Sequence, residues 1–297
     1  MARPAALIVN PRSGRLSSMA GPAAQLAETL GGAGFVLDPA PAPEASLDEQ
    51  WGAALAGPAG VIFVAGGDGT LRDAAARLRG TARVFAPLPG GTLNKLCQDL
   101  GLPNDPLEAA TAYAGAEPGR MDVATANGMI FLHELIMGRA SRLVRLRERH
   151  RDAGPRGWWP MLQGVLRALW RSGRRDLRLR MGPGLRLRGE AVLVSLPPRG
   201  SGRGLLVNLA RPGSLWARLR QALRWILGRL REDEEVAVRE TPWLVVQPRE
   251  RATHLSLDGE TRLAHGPVRI RLHRDALAVL RIREAPSIKP PPMESWS

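Results

Sequence analysis

Short apolar runs alternate with amphipathic stretches along the first third of the chain. Continuous apolar runs are typical of parallel strands covered on both faces, and apolar positions three and four residues apart are typical of helices. The predicted strands are residues 7–9, 35–37, 61–64 and 84–88, and the predicted helices are residues 23–30, 47–55, 70–78 and 95–100. Because strand and helix alternate, we predict a doubly wound, Rossmann-like parallel sheet in an α/β domain at residues 1–120.

The apolar spacing changes to every second residue in the remainder of the chain. Leucine alternates with arginine at residues 177–181 and 185–188, as expected for half-exposed strands. Asn127-Gly128 lies between two apolar runs and predicts the turn of a β-hairpin. Further strands are predicted at residues 191–196, 204–209, 243–246, 254–257, 268–272 and 278–282. We therefore predict an antiparallel β-sandwich domain at residues 121–285.

A glycine-rich turn follows the third predicted strand. Gly66, Gly67 and Gly69 surround Asp68, and Thr70 stands at the start of the next helix. Without Cβ atoms, backbone N–H groups can converge on an anion, and the N-terminus of the helix faces the same point. Phosphate is therefore the expected ligand, and the alternative is a tight turn that binds nothing.

Two more polar turns follow predicted strands of the same sheet. Residues 10–14, Asn-Pro-Arg-Ser-Gly, follow the first strand, and residues 89–94, Pro-Gly-Gly-Thr-Leu-Asn, follow the fourth. In open α/β sheets, ligands bind outside the carboxyl ends of the strands. We therefore expect the three turns to line one site.

The charge of the chain is strongly positive and uneven. The formal net charge is +14, and residues 139–231 hold 23 arginines against four acidic residues. Such a region should attract anionic lipid or nucleic acid. A genome rich in G and C favours arginine over lysine but does not explain why the arginines crowd one region. No nucleic-acid-binding module is recognisable and aromatic content is 4 %, so a nucleic-acid partner is not expected.

Composition excludes several classes of protein. Apolar content of 44 % excludes a wholly disordered chain, and the single cysteine, Cys97, excludes a disulfide framework within the chain. No run of about 18 uncharged apolar residues predicts a membrane-spanning helix. The apolar stretch at the N-terminus is too short for a signal peptide. A cytoplasmic protein is expected.

Two amphipathic helices are predicted within the second domain, at residues 158–171 and 215–231. The second carries an apolar stripe flanked by arginines, which would suit an anionic membrane surface. The alternative is a helix that packs on the β domain with a solvated basic rim. The predicted membrane contacts are Trp216, Leu219, Arg220, Leu223 and Arg224. The proline-rich residues 286–297 are predicted to form a disordered tail.

Four motifs stand in a fixed order along the chain. They are the turns at residues 10–14, 66–70 and 89–94, followed by Leu-Asp-Gly-Glu at residues 257–260. Together they resemble the diacylglycerol kinase catalytic-domain family, most closely its bacterial soluble lipid kinases, and sphingosine kinases share the set. The resemblance extends from residue 7 to about residue 283. It implies a nucleotide-binding α/β domain, a C-terminal β-sandwich and an active site in the cleft between them.

The resemblance implies a role for individual residues. Asp258 would accept the proton of a hydroxyl that takes the γ-phosphoryl of ATP, as a positioned carboxylate can. Asp68 would lie near the Mg²⁺ that accompanies ATP. Taken alone, Asp258-Gly259 favours a simple hairpin turn. The residues implied to contact the nucleotide are Asn10, Gly66, Gly67, Asp68, Gly69, Thr70, Leu71, Arg72, Gly91, Thr92 and Asn94.

The chain departs from the family pattern at two places. After Gly-Thr-x-Asn the family commonly has Asp-Phe-Ala-Arg, whereas residues 95–98 here are Lys-Leu-Cys-Gln. Arg203 falls where many members have an Asp-Asp-Gly that holds a structural metal ion, and an arginine cannot ligate one. We therefore expect no second, structural Mg²⁺ site.

The function expected from these features is that of an ATP-dependent lipid kinase that phosphorylates a membrane lipid such as diacylglycerol. It would use ATP and Mg²⁺ and bind the inner face of the membrane peripherally. An NAD kinase shares Gly-Gly-Asp-Gly, but Asp-Gly-Glu near the C-terminus and Gly-Thr-x-Asn after the fourth strand argue against it. Lys95 and Arg203 leave room for a non-catalytic lipid- or nucleotide-binding protein of the same fold.

Overall fold

The computed structural model describes residues 3–40, 42, 44–138, 177–182, 184–197, 204–210 and 236–282. These form two compact units: unit 1 contains the chain up to Arg120 and the segment from Leu277 on, and unit 2 contains Met121–Ala276. The predicted amphipathic helices with their five membrane contacts, Arg203 and the C-terminal tail lie outside the described residues. The division into independent domains at residues 1–120 and 121–285 stays a prediction.

Unit 1 contains a parallel sheet with the strand order β2-β1-β3-β4. Its strands are β1 (Arg3–Val9), β2 (Phe35–Leu37), β3 (Val61–Gly66) and β4 (Val84–Pro89). Its helices are α1 (Pro22–Gly32), α2 (Leu47–Ala56), α3 (Asp68–Leu78), α4 (Lys95–Asp99) and α5 (Pro106–Ala112), with a short 3-10 helix at Leu16–Ser18. The end of the last strand of the chain joins this sheet, because Val279 pairs in parallel with Phe85.

The interior of unit 1 explains the continuous apolar runs of its strands. All six residues of β3 are buried. Phe63 packs edge-on against both Phe35 and Tyr113, and the Tyr113 hydroxyl donates a hydrogen bond to the Pro87 carbonyl at 2.8 Å. A strand covered on both faces has no polar side, so it shows no alternation in the sequence.

Unit 2 consists of antiparallel strands. They are β5 (Glu117–Ala126, shared with unit 1), β6 (Met129–Phe131), β7 (Glu134–Gly138), β8 (Leu177–Met181), β9 (Leu185–Gly189), β10 (Ala191–Ser195), β11 (Leu205–Ala210), β12 (Val236–Thr241), β13 (Trp243–Pro248), β14 (Ala252–Leu257), β15 (Glu260–His265) and β16 (Val268–Arg281, shared with unit 1). One sheet has the order β12-β11-β10-β7-β14-β15. In the other, β16, β13, β8 and β9 pair in that order, and β5 pairs with both β16 and β6.

The two sheets of unit 2 share one hydrophobic core. Every second residue of β8 is buried in it, which is why leucine and arginine alternate there. Side chains from β7, β10, β11 and β14 enter the same core from the other sheet. The predicted fold class, an α/β region followed by an antiparallel β-sandwich, is confirmed. None of the helices among the described residues is long and apolar enough to cross a bilayer.

The structure corrects the predicted elements at several places. Residues 268–272 and 278–282 belong to one strand, β16, whose interior carries Asp275 in a left-handed conformation with φ 45°. Its backbone N–H donates to the Asp122 carboxylate, so the polar middle of the strand is held in place without apolar side chains. Helix α5 and strands β7, β12 and β15 were not predicted. The short, alanine-rich α5 buries Pro106, Ala109 and Ala110, and β12 and β15 are edge strands. None of these three elements has the apolar periodicity of a core helix or strand.

Candidate functional site

The turn between β3 and α3 presents free helix-terminal donors. Gly67 is the N-cap of α3, and the Leu71 N–H donates to its carbonyl at 3.0 Å. The N–H groups of Asp68, Gly69 and Thr70 lie in the first turn, where an α-helix offers no carbonyl to accept from them. Together with the helix dipole they favour an anion at this end of the sheet.

The two glycine turns of unit 1 pack with their backbones in contact. A Cβ added to Gly91 would lie 2.7 Å from the Gly67 Cα, and one added to Gly66 would lie 2.6 Å from the Thr70 Cβ. A Cβ on Gly90 would lie 2.9 Å from the Gly66 nitrogen. The Gly90 N–H donates a hydrogen bond to the Gly66 carbonyl at 2.8 Å. Glycine is therefore required at these positions by close approach and not by unusual φ angles.

The turn after β1 ties these two glycine turns together. The Ser13 hydroxyl oxygen accepts a hydrogen bond from the Gly67 N–H at 3.1 Å, and the Asn10 amide donates to the Thr70 hydroxyl at 2.9 Å. The Arg15 N–H donates to the Gly90 carbonyl at 2.9 Å. Ser13 is 9 % exposed and was not among the predicted site residues. Its place in the Asn-Pro-Arg-Ser-Gly motif was the signal for it.

Asn94 shapes the turn after β4 from within. It is 2 % exposed and adopts a left-handed conformation with φ 49° as the N-cap of α4. Its side-chain oxygen accepts from the Gly91 N–H at 2.8 Å, and its side-chain nitrogen donates to the Gly91 carbonyl at 3.1 Å. Asparagine tolerates this backbone conformation better than most residues. Thr92, beside it, is exposed.

Most of the residues predicted to contact a nucleotide therefore lie together in unit 1. Two differ from the rest, because the Leu71 side chain is fully buried and Arg72 is only 5 % exposed. One Arg72 side-chain nitrogen lies 3.4 Å from the carboxylate of Asp73. Their contact with a nucleotide stays a prediction, and their visible role is to pack α3 against the sheet. The residues that share this end of the sheet are Asn10, Gly66, Gly67, Asp68, Gly69, Thr70, Gly91, Thr92 and Asn94.

Asp68 is suited to a cation. Its Oδ1 is buried and has no hydrogen-bond partner among the described residues. No group of three His, Cys, Asp or Glu residues that could hold a metal ion occurs in the described part of the chain. Mg²⁺ is commonly bound through one or two carboxylates together with substrate phosphates. A single carboxylate beside an anion-binding helix end fits that mode of binding.

Asp68→Asn is expected to remove the Mg²⁺-dependent part of ATP binding. If Asp68 holds the Mg²⁺ that accompanies ATP, ATP with Mg²⁺ should raise the melting temperature of the wild-type protein more than ATP alone, because the Asp68 carboxylate would then supply a ligand to the cation. In the variant the two increments should be equal. Thermal shift measurements with and without Mg²⁺ test this. Asp73→Asn is the matched control, since Asp73 lies on the same helix with its side chain 71 % exposed.

Cys97 lies next to this site but is inaccessible. It is completely buried in α4, and burial raises the pKa of its thiol above the ordinary value of 9.0, with the Asp68 carboxylate raising it further. Burial also raises the pKa of the Tyr113 hydroxyl. The thiolate is the reactive form of cysteine, so Cys97 is a packing residue and not a nucleophile.

The folded protein is expected to lose stability as the pH rises above about 9. The folded state binds the Cys97 proton more tightly than the unfolded state does. The resulting stabilisation is fully present below the unfolded thiol pKa and declines above it, by up to ~1.4 kcal/mol per pH unit. Urea unfolding of wild type and Cys97→Ala between about pH 8 and pH 10 tests this. Equal alkaline slopes in the two proteins would contradict it.

Asp258 occupies a tight hairpin turn in unit 2. Leu257 pairs with Glu260, and the two residues between them, Asp258 and Gly259, have φ values of 48° and 91°. Positive φ at both central residues is the pattern of a type I′ turn, for which Asp-Gly is a preferred sequence. The left-handed conformation of Asp258 is therefore explained by its place in this turn.

The carboxylate of Asp258 is held by three backbone donors. The Leu132 N–H donates to Oδ2 at 2.8 Å, and the N–H groups of His133 and Glu134 donate to Oδ1 at 2.9 and 3.0 Å. The Asp258 N–H donates in turn to the Glu134 carbonyl at 2.9 Å. A carboxylate has about four acceptor positions, so one position, on Oδ2, has no donor among the described residues. No motif marked Leu132, His133 or Glu134 for this role, because only their backbone atoms take part.

Comparison with known proteins agrees with the motifs. Residues 4–126 match the family model for the diacylglycerol kinase catalytic domain, which confirms the predicted resemblance over this region. A solved structure named "putative diacylglycerol kinase" from Bacillus anthracis str. Sterne has 21 % identity and a TM-score of 0.69, covering 97 % of this chain and 99 % of that chain. A second, named a diacylglycerol kinase from the same organism, has 20 % identity and a TM-score of 0.65 with the same coverage. These likenesses show the same fold, and the family match supports a kinase that uses ATP.

Proposed function

Since residues 4–126 match the diacylglycerol kinase catalytic domain, we propose that the protein is an ATP-dependent lipid kinase. It transfers the γ-phosphoryl of ATP to the hydroxyl of a membrane lipid such as diacylglycerol. The observation that carries this proposal is the meeting of three turns in unit 1, which the contacts of Ser13, Asn10 and Gly91 join. A membrane-lipid kinase would work at the cytoplasmic face of the membrane.

The first step of the mechanism is to hold the phosphates of ATP. The first-turn N–H groups of Asp68, Gly69 and Thr70 donate to phosphate oxygens, and the closely packed Gly67 and Gly91 leave the backbone open to them. Asp68 would hold the Mg²⁺, which when bound neutralises charge that develops on the phosphates. Phosphoryl transfer demands little covalent chemistry from the protein, so this positioning supplies most of the catalysis.

The second step is removal of the proton from the attacking hydroxyl. Asp258 accepts that proton at Oδ2, since both acceptor positions of Oδ1 are taken by His133 and Glu134. The three N–H donors fix the orientation of the carboxylate before substrate arrives. A base that is held in position does not lose rotamer entropy in the transition state.

The direct test is a transfer assay with labelled ATP. The full chain is incubated with Mg²⁺, γ-labelled ATP and mixed lipid vesicles that contain diacylglycerol, and label is measured in the extracted lipid. Label in diacylglycerol or another hydroxyl lipid supports the proposal. Label found only as NADP, when NAD is added to the mixture and the aqueous phase is also counted, identifies an NAD kinase. ATP binding with no transfer to any acceptor identifies the non-catalytic alternative, for which the cation Lys95 in place of the common carboxylate is the motivating feature.

A further inference from the structure

One face of unit 2 is built from arginines. In β9, β8, β13 and the start of β16, residues that point outward alternate with residues of the core. Strand pairing places Arg186, Arg180, Val245 and Arg269 side by side in one row. Neighbouring rows add further arginines on the same side, because residues two apart on a strand share a face. The arginine face consists of Arg178, Arg180, Arg186, Arg188, Arg269 and Arg271.

The charge of the arginine face is not compensated by any acidic residue of β8, β9 or β13. All six side chains are exposed, and Arg178 and Arg180 stand directly opposite Arg188 and Arg186. Like charges in directly opposite cross-strand positions destabilise an antiparallel pair. The sequences of β8, β9 and β13 contain no aspartate or glutamate, so no acid on those strands relieves the repulsion. A partner that supplies negative charge would relieve this repulsion.

The surface between the arginines suits phosphate groups on an apolar base. A groove of about 590 Å³ is lined by five of the arginines together with Leu187 and Val245. Trp243 lies half-buried beside Arg271, one row away. Guanidinium groups bind phosphate oxygens in a bidentate way, and tryptophan is enriched where protein meets the headgroup layer of a membrane.

We propose that the arginine face docks the protein on an anionic membrane surface, with phospholipid phosphates between the arginine rows. The choice of a bilayer rests on the proposed function, because a lipid substrate requires membrane contact. A single-stranded nucleic acid is the less favoured partner, since Trp243 is the one aromatic residue on these strands and such proteins stack several bases on aromatic side chains. This surface is separate in sequence from the predicted helix at residues 215–231.

The test is vesicle co-sedimentation without ATP. Wild type should bind vesicles of phosphatidylcholine with about one third phosphatidylglycerol and not vesicles of phosphatidylcholine alone. Each arginine near an anionic surface contributes roughly fivefold in affinity. Arg178→Gln with Arg180→Gln should therefore weaken binding about 30-fold. Its melting temperature should be no lower than that of wild type, because two like-charge pairs are removed.

The matched control removes two charges from the other sheet of the same unit. Arg239 on β12 and Arg262 on β15 are exposed, and Arg239→Gln with Arg262→Gln should leave vesicle binding within about twofold.

Equal losses in both double variants would overturn the proposal in favour of net charge. Tighter binding of a labelled oligonucleotide than of anionic vesicles would overturn the proposal in favour of a nucleic-acid partner. Wild type that phosphorylates detergent-dispersed lipid but ignores vesicles would refute the docking face and leave the kinase assignment standing. Vesicle binding with no phosphoryl transfer would support the docking face and refute the kinase assignment.

Discussion

Asp258→Asn is expected to lower kcat for lipid phosphorylation by about 10²–10⁴-fold, the usual contribution of a general base. Asparagine cannot take up the hydroxyl proton at neutral pH. It tolerates the left-handed conformation of Asp258, whose φ is 48°, so the hairpin should survive. The measurement is steady-state kinetics with ATP and dispersed diacylglycerol, alongside ATP binding by calorimetry. The affinity for ATP should change little, since in the proposed mechanism Asp258 acts on the acceptor hydroxyl and not on ATP.

The substitution also alters the hydrogen bonds of the turn, so a control is needed. An amide oxygen can keep the donors of His133 and Glu134, but its NH₂ group then faces the Leu132 N–H. One lost buried hydrogen bond costs about 1–3 kcal/mol of stability. Asp275→Asn changes an aspartate with φ 45° in the same unit and should leave kcat unchanged. A folded Asp258→Asn variant with wild-type kcat would remove Asp258 from the mechanism.

Gly91→Ala is expected to weaken ATP binding by more than tenfold, because it separates the two glycine turns of unit 1. The new Cβ would lie 2.7 Å from the Gly67 Cα and 3.1 Å from the Asn94 side-chain oxygen. The nearer contact is with backbone, which cannot move aside as a flexible side chain can. Overpacking of this kind costs about 1–3 kcal/mol, and relief of it would shift the N–H donors of α3. Calorimetric titration with ATP and thermal unfolding measure the two effects.

Gly52→Ala separates close approach from the general effect of losing a glycine. Gly52 lies within α2, and a Cβ added there meets nothing within 4 Å. Alanine is favoured over glycine in a helix by roughly 0.5–1 kcal/mol, so this variant should be more stable and bind ATP normally. If Gly91→Ala bound ATP as well as Gly52→Ala does, the packed glycine turns could not be the phosphate site.

Local patterns in the sequence predicted much of unit 1. Its four parallel strands, its first three helices and its glycine turns are read from residues that are close together in the chain. The Asn127-Gly128 hairpin is of the same kind, since Ala126 pairs with Met129 across that turn. In each case an apolar run or a pair of turn-forming residues specifies the backbone conformation with little help from distant parts of the chain.

Other features depended on contacts between distant residues. The three donors to Asp258 come from more than 120 residues earlier in the chain and use backbone atoms that any residue type supplies. In the middle of β16, the Asp275 N–H donates to the Asp122 carboxylate, 153 positions away in the chain. No local pattern encodes such pairings.

The sequence by itself determined the two kinds of sheet, the glycine turns and which two aspartates, Asp68 and Asp258, are the candidate site residues. Periodicity and turn chemistry suffice for this because they act within a few residues. Only the tertiary structure decided which backbone donors hold the Asp258 carboxylate, that Ser13 and Asn94 hold the turns of unit 1 together, and that six arginines share one face. Those depend on strand register and side-chain packing, and a shift of one residue in register would move every arginine of β8 to the opposite face.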